Sequence, residues 1–246
     1  MDTRTFIRMT WLGAALLLAG CYPLRDTTRP PATKVLPAPT AATRLVIVLP
    51  GIRDNLDSLE ASGIGGAIQG AWRDADVELV ELTMGFYKDG KAVPDVHALV
   101  EAARGKGYRQ VWLAGASLGG MGALLYDTAH PGVVDGLVLF SPYLGDDTTL
   151  DAIRRAGGVA AWQAPAAAVP GPANWQAQMW RRVQAWAAQP GGDPRAWLAY
   201  GAGDKFAPNM PLLLPAIPPG HVVTGPGEHA WTTWTPLAKQ VFTRAK

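Results

Sequence analysis

From Arg44 onward the chain alternates between short apolar runs and longer segments compatible with helix. The apolar runs are Leu45–Leu49, Val77–Leu82, Val111–Ala114, Leu137–Phe140, Trp197–Tyr200 and His221–Thr224. Several are continuous Val/Ile/Leu stretches rather than strict alternations, which is the pattern of strands covered on both faces. Between them lie Leu56–Trp72, Val93–Lys106, Leu118–Ala129 and Trp231–Ala245, each long enough to cross back over a sheet as a helix. This alternation predicts an α/β fold, a doubly wound, mostly parallel sheet of about six strands.

One interval breaks the rhythm. About fifty residues separate Leu144 from Arg195, far more than an ordinary connection needs. They carry Trp162, Trp175, Trp180 and Trp186 among many Ala, Gln and Pro, and Asn174–Trp186 has loose helical register. The interval reads as a cap, residues 145–195, inserted between the fourth and fifth predicted strands and lying over one end of the sheet. Its tryptophans are expected to pack, with one or two facing a pocket.

The first residues do not belong to this pattern. Arg4 and Arg8 precede a short apolar run, Trp11–Ala19, that ends in small residues. That is the layout of an export signal, and the run is too short to span a bilayer. Leu18-Ala19-Gly20-Cys21 resembles the lipobox of bacterial lipoproteins. The resemblance implies that residues 1–20 are a signal peptide and that the thiol of Cys21 carries lipid. Cys21 is the only cysteine, so no intramolecular disulfide competes for it. Residues 21–43 are rich in Pro and Thr and without period, and are expected to form an extended tether. Tyr22 in place of Asp after the cysteine points to the outer membrane for a Gram-negative source.

Composition narrows the function classes. A chain of 246 residues, less signal and tether, leaves one domain over 44–246. A net charge of +2 from nearly balanced acids and bases gives no footprint for nucleic acid. Four scattered histidines and one cysteine make no metal-ligand spacing. No cofactor is expected.

The chemistry concentrates where the third predicted strand hands over to a helix, in VWLAGASLGGMGALL, Val111 to Leu125. Ser117 is one of only four serines, and it stands there in Gly115-x-Ser117-x-Gly119. No Lys-Ser/Thr pair follows the glycines and no G-x-G-x-x-G is present in this turn, which argues against phosphate or dinucleotide binding. The arrangement resembles the nucleophile elbow of the α/β-hydrolase superfamily, and the likeness extends over Leu45–Lys246. The elbow requires a strained serine flanked by residues too small to collide with it.

What the resemblance implies can be placed residue by residue. The superfamily's chain order is serine, acid, histidine. His97 and His130 do not suit that order, and His221 opens a predicted strand. His229 lies in the loop Gly225–Ala230 after the last strand, and Gly227 to Trp234 resembles the G-x-H-x-W-x-x-W run of esterase families. Asp204, just beyond the next-to-last strand in Gly201-x-x-Asp204-x-x-x-Pro208, matches the acid loop. Asp146 or Asp147 is the alternative, whereas Asp193 precedes its strand and lies at the wrong end. The first strand ends in Pro50-Gly51-Ile52, where relatives often carry His-Gly. The N–H groups of Ile52 and Leu118 are the implied oxyanion donors. The HGGG form of some lipases is absent.

These residues imply a serine enzyme that cleaves carboxylic esters, acts on a small-molecule acyl substrate and is held at the bacterial cell envelope by lipid. Two alternatives stay open. One is other acyl chemistry on the same residues, as in a thioesterase, an amidase or peptidase, or an acyltransferase; the other is a surface lipoprotein that keeps the fold as a non-enzymatic scaffold.

Overall fold

The structure, a computed structural model, describes residues 26–166 and 173–245. Its elements run in the order β1 (Thr33–Leu36), β2 (Arg44–Leu49), α1 (Leu56–Ala61), α2 (Ile64–Ala71), β3 (Ala75–Val80), α3 (Met84–Lys88) and α4 (Ala92–Gly105). There follow β4 (Gln110–Ala116), α5 (Leu118–Ala129), β5 (Gly136–Phe140), α6 (Asp147–Arg155) and α7 (Trp175–Ala187). The chain closes with β6 (Ala196–Gly201), a 3-10 segment over Ala207–Ala216, β7 (Val222–Gly225) and α8 (Trp231–Arg244).

Side chains along the strands alternate between two apolar layers. Leu45, Ile47 and Leu49 of β2, with Leu113, Leu137 and Leu198, face a core closed by α4, α5, α6 and α7. Val46 and Val48, with Trp112, Val138 and Trp197, face a second core closed by α1, α2 and α8. Covering on both faces is what lets the strands be apolar at every position. The seven strands lie in the order β1-β3-β2-β4-β5-β6-β7, all parallel except β1. The order reverses at β2, whose end pairs Leu49 with Gly115 of β4. Open parallel sheets hold their sites at such a switch point, beyond the strands' carboxyl ends.

Three details depart from the reading of the sequence. Within the expected tether, residues 33–36 form β1, antiparallel to β3 in the register Thr33↔Val80 and Leu36↔Val77. An edge strand has one partner and one covered face, so it leaves no apolar run in the sequence. Leu36 packs so closely on Gly65 of α2 that a methyl group there would lie 2.3 Å from its Cδ1. The expected helix 56–72 is broken at Ser62-Gly63, where Gly63 takes a φ of +74°. Residues 1–20 and Cys21 lie outside the described residues, among which no helix is long and apolar enough to cross a membrane.

The third departure concerns the cap. Met179, Trp180, Val183 and Trp186 of α7 are buried in the same core as Leu124 and Leu137. α7 therefore packs on the sheet's face beside α5, as the crossover helix between β5 and β6. Its polar atoms are tied into that wall. The Trp180 indole donates to the Leu144 carbonyl at 2.9 Å, and the Trp186 indole to Asp127 Oδ2 at 3.2 Å. Asp127, on α5 and wholly buried, also takes Arg182 Nε at 2.6 Å and Arg195 Nη1 at 3.0 Å. Arg195 in turn pairs with Asp193 at 2.6 Å. One carboxylate thus joins α5, α7 and the start of β6.

Candidate active site

Ser117 is the single residue between β4 and α5. It takes a φ of +53° and a ψ of −109°, a conformation that costs a non-glycine residue energy. Its backbone is held on both sides: Ser117 N donates to Phe140 O, and its carbonyl accepts from Tyr143 N, each at 2.9 Å. The neighbouring glycines have a steric reason. A Cβ on Gly115 would lie 2.1 Å from Gly119 O, and one on Gly119 would lie 2.3 Å from Leu49 O. Both obstacles are backbone and cannot rotate away. Gly119→Ala is therefore expected to destabilise the fold by about 2 kcal/mol or more. Gly66→Ala, on the open face of α2 with nothing within 4 Å, should be neutral or stabilising. Urea midpoints of the two variants check the contrast.

His229 reaches the serine from the loop between β7 and α8. Its Nε2 lies 2.8 Å from Ser117 Oγ, and its Nδ1 lies 2.8 and 2.9 Å from the two oxygens of Asp204. The loops carrying His229 and Asp204 are bonded to each other, Ala202 N to Gly225 O at 2.8 Å and Gly203 N to Gly227 O at 2.9 Å. Gly227 takes a φ of +119° directly against Thr233, so only glycine fits there. Phe206 and Trp234 each present an edge-on contact to the imidazole at 4.7 Å and fix its plane.

Asp204 is buried, and burial alone would raise its pKa. Hydrogen bonds from His229, from the Ser141 hydroxyl and from Phe206 N outweigh that effect and hold the carboxyl below its ordinary value. The carboxylate form is thereby favoured.

Ser141 escaped the sequence reading. It follows β5 at a φ of +40°, is fully buried, and bridges the site: its hydroxyl bonds Asp204 and accepts the Trp234 indole at 3.0 Å. The available signal was a serine, rare in this chain, directly at a strand end before Pro142.

The other candidates lie elsewhere. Asp146 caps α6 through Thr149 N and holds Gln176. Asp193 pairs with Arg195. His221 bonds Ala196 O and stacks on Trp197, while His97 and His130 stack on each other. Leu118 opens α5, so its N–H belongs to the first helical turn, which has no acceptor within the helix. The loop of Ile52 lies alongside: a Cβ on Gly51 would sit 4.0 Å from Ser117 Cβ. A cavity of about 400 Å³ adjoins Leu118 and is walled by Met84, Tyr87, Met121, Tyr143 and Trp175. Trp175 is thus the one of the four interval tryptophans that faces it. Among the described residues no group of three or more His, Cys, Asp or Glu could hold a metal ion.

A hydrogen-bonded row of hydroxyl, imidazole and carboxylate can pass the serine proton to the ring and so expose a nucleophile. Residues 84–195 match the family model described as serine aminopeptidase, S33. No curated protein matches the chain. Solved structures do. The S-formylglutathione hydrolase FrmB of Staphylococcus aureus superposes with a TM-score of 0.60 at 11% identity, covering 87% of this chain and 89% of its own. Est1E of Butyrivibrio proteoclasticus gives 0.58 at 12%, over 87% and 91%. The monoacylglycerol lipase of Paleococcus ferrophilus gives 0.58 at 11%, over 88% and 100%. Such identities speak for the fold. With the family match across the elbow and the sheet order described above, they show that the chain has the α/β-hydrolase fold.

Proposed function

We propose that this protein is a serine hydrolase that cleaves carboxylic esters, with Ser117 as nucleophile, His229 as general base and acid, and Asp204 as its orienting carboxylate. The observation that carries the reading is the continuous row Ser117 Oγ–His229–Asp204, with both links at hydrogen-bond distance. His229 takes the Ser117 proton as Oγ attacks the carbonyl carbon, and Asp204 stabilises the resulting imidazolium. The N–H groups of Leu118 and Ile52 receive the negative oxygen, at about 3 kcal/mol for each well-placed donor. His229 then protonates the departing alcohol. Water enters through the same histidine and releases the acid.

The cavity beside Leu118 suits an apolar acyl group. Among the structural relatives, Est1E has been seen with ferulic acid bound, and the Paleococcus protein is a monoacylglycerol lipase, which supports ester chemistry. Attachment to the bacterial cell envelope through lipid on Cys21 is part of the proposal and rests on the lipobox-like run before it. Mass spectrometry of the mature N-terminus should find acylated Cys21; an unmodified terminus elsewhere would overturn the anchor.

A fluorophosphonate probe tests the enzyme. It should label the folded wild type and not Ser117→Ala. An unlabelled wild type beside a reactive control hydrolase would favour the non-enzymatic scaffold. The family description of an aminopeptidase favours a second reading, amide cleavage. Parallel assays with a nitrophenyl ester and aminoacyl nitroanilides separate the two.

A further inference from the structure

We propose that Asp54 is a positioning residue that aims the oxyanion loop and ties it to the loop of the catalytic base. The inference rests on the ester-hydrolase reading above and extends it to a residue outside the triad. Asp54 lies four residues beyond Pro50, half-buried, before α1. One carboxylate oxygen, Oδ2, accepts two hydrogen bonds at 2.8 Å, from Gly51 N and from the Trp231 indole. The other, Oδ1, accepts the Ser58 hydroxyl at 3.2 Å. The Asp54 N–H returns to Gly51 O at 3.2 Å, so the turn is closed from both directions.

Each partner has a consequence for the reacting centre. Gly51 immediately precedes Ile52, and both its ends are held by Asp54. The carboxylate holds its N–H, and the Asp54 N–H holds its carbonyl, part of the 51–52 peptide that carries the proposed Ile52 donor. Trp231 is the first residue of α8, two positions after His229. Its ring meets Trp234 edge-on at 5.3 Å, and Trp234 meets His229 at 4.7 Å. Asp54 therefore lies at one end of an aromatic row whose other end is the base. Oxyanion donors act only when held within about half an ångström of the productive geometry, and a loop needs an external tie to hold such a tolerance.

Asp54→Ala should lower kcat for a nitrophenyl ester by about 10- to 100-fold and leave KM within about twofold, because the oxyanion exists only in the transition state. Affinity for a trifluoromethyl ketone, which forms a tetrahedral oxyanion on the serine, should fall in step with kcat. Asp54→Asn keeps an oxygen able to accept both 2.8 Å bonds and should restore most of the rate. Trp231→Phe keeps the ring without the donor and should lose about 3- to 10-fold. The double variant should lose no more than Asp54→Ala, since both changes cut one tie. If Asp54→Ala does not fold, folded Trp231→Phe carries the test. Wild-type kcat in either folded variant, or unchanged ketone affinity, would overturn the role. A wild type inert to both ester and fluorophosphonate would refute the ester-hydrolase reading itself, and this role with it.

Discussion

Asp204→Asn is expected to lower ester turnover by about 10⁴-fold in a folded protein, while Asp146→Asn changes it by no more than about twofold. The difference lies in which nitrogen carries the proton. The Asp204 carboxylate can only accept, so it holds the proton on Nδ1 and leaves Nε2, 2.8 Å from Ser117 Oγ, ready to take one. An asparagine amide can donate to Nδ1, which puts the proton on Nε2 and blocks the base. Asp146 holds Thr149 N and Gln176 and touches none of this. Steady-state kinetics on the two variants, with circular dichroism to confirm folding, decides between them.

The same residue links stability to pH. Its folded pKa lies below the ordinary carboxylate value, so it favours the native state fully above about 4 and progressively less as pH falls through the lowered folded value. Wild type should therefore lose stability across the acid range more steeply than Asp204→Asn, as measured by urea midpoints at stepped pH.

For stability, the largest effect is expected at Asp127. Asp127→Ala would leave Arg182, Arg195 and the Trp186 indole without their shared acceptor in a fully buried position. Breaking one side of a buried ion pair costs about 3–5 kcal/mol, a large share of the roughly 5–15 kcal/mol that stabilises a domain. The melting temperature should drop by about 10 °C, given roughly 2–4 °C per kcal/mol at this size. Asp127→Asn keeps one acceptor oxygen and should lie between. Calorimetry of the two variants reads the loss, and a melting point within a degree of wild type in Asp127→Ala would refute the account.

Why some features could be read from the sequence and others could not follows from the range of the forces involved. Strands such as Leu45–Leu49 and Leu137–Phe140 lie between two apolar layers, so each advertises itself by local composition alone. The placement of Ser117 was legible because its steric demand falls on residues two positions away, and that of Asp204 and His229 because each follows a strand in a set order. β1 was not legible: four residues with a single neighbour carry little hydropathy. Nor was the place of α7, since the tryptophans of a wall helix and of a lid look alike in sequence. Ser141 bonds Asp204, 63 residues on, and Asp54 bonds Trp231, 177 residues on, besides its near neighbours Gly51 and Ser58. Nothing near them in the chain records those distant bonds.

Ser117 immediately precedes α5, which packs on one face of the sheet, whereas His229 precedes α8, which packs on the other. The 2.8 Å contact between them therefore closes only in molecules where both helical layers have docked. A chain with one layer loose would keep much of its secondary structure and still fail to react. On the proposed mechanism, covalent capture at Ser117 counts fully assembled molecules, and during refolding it should lag the recovery of helical signal.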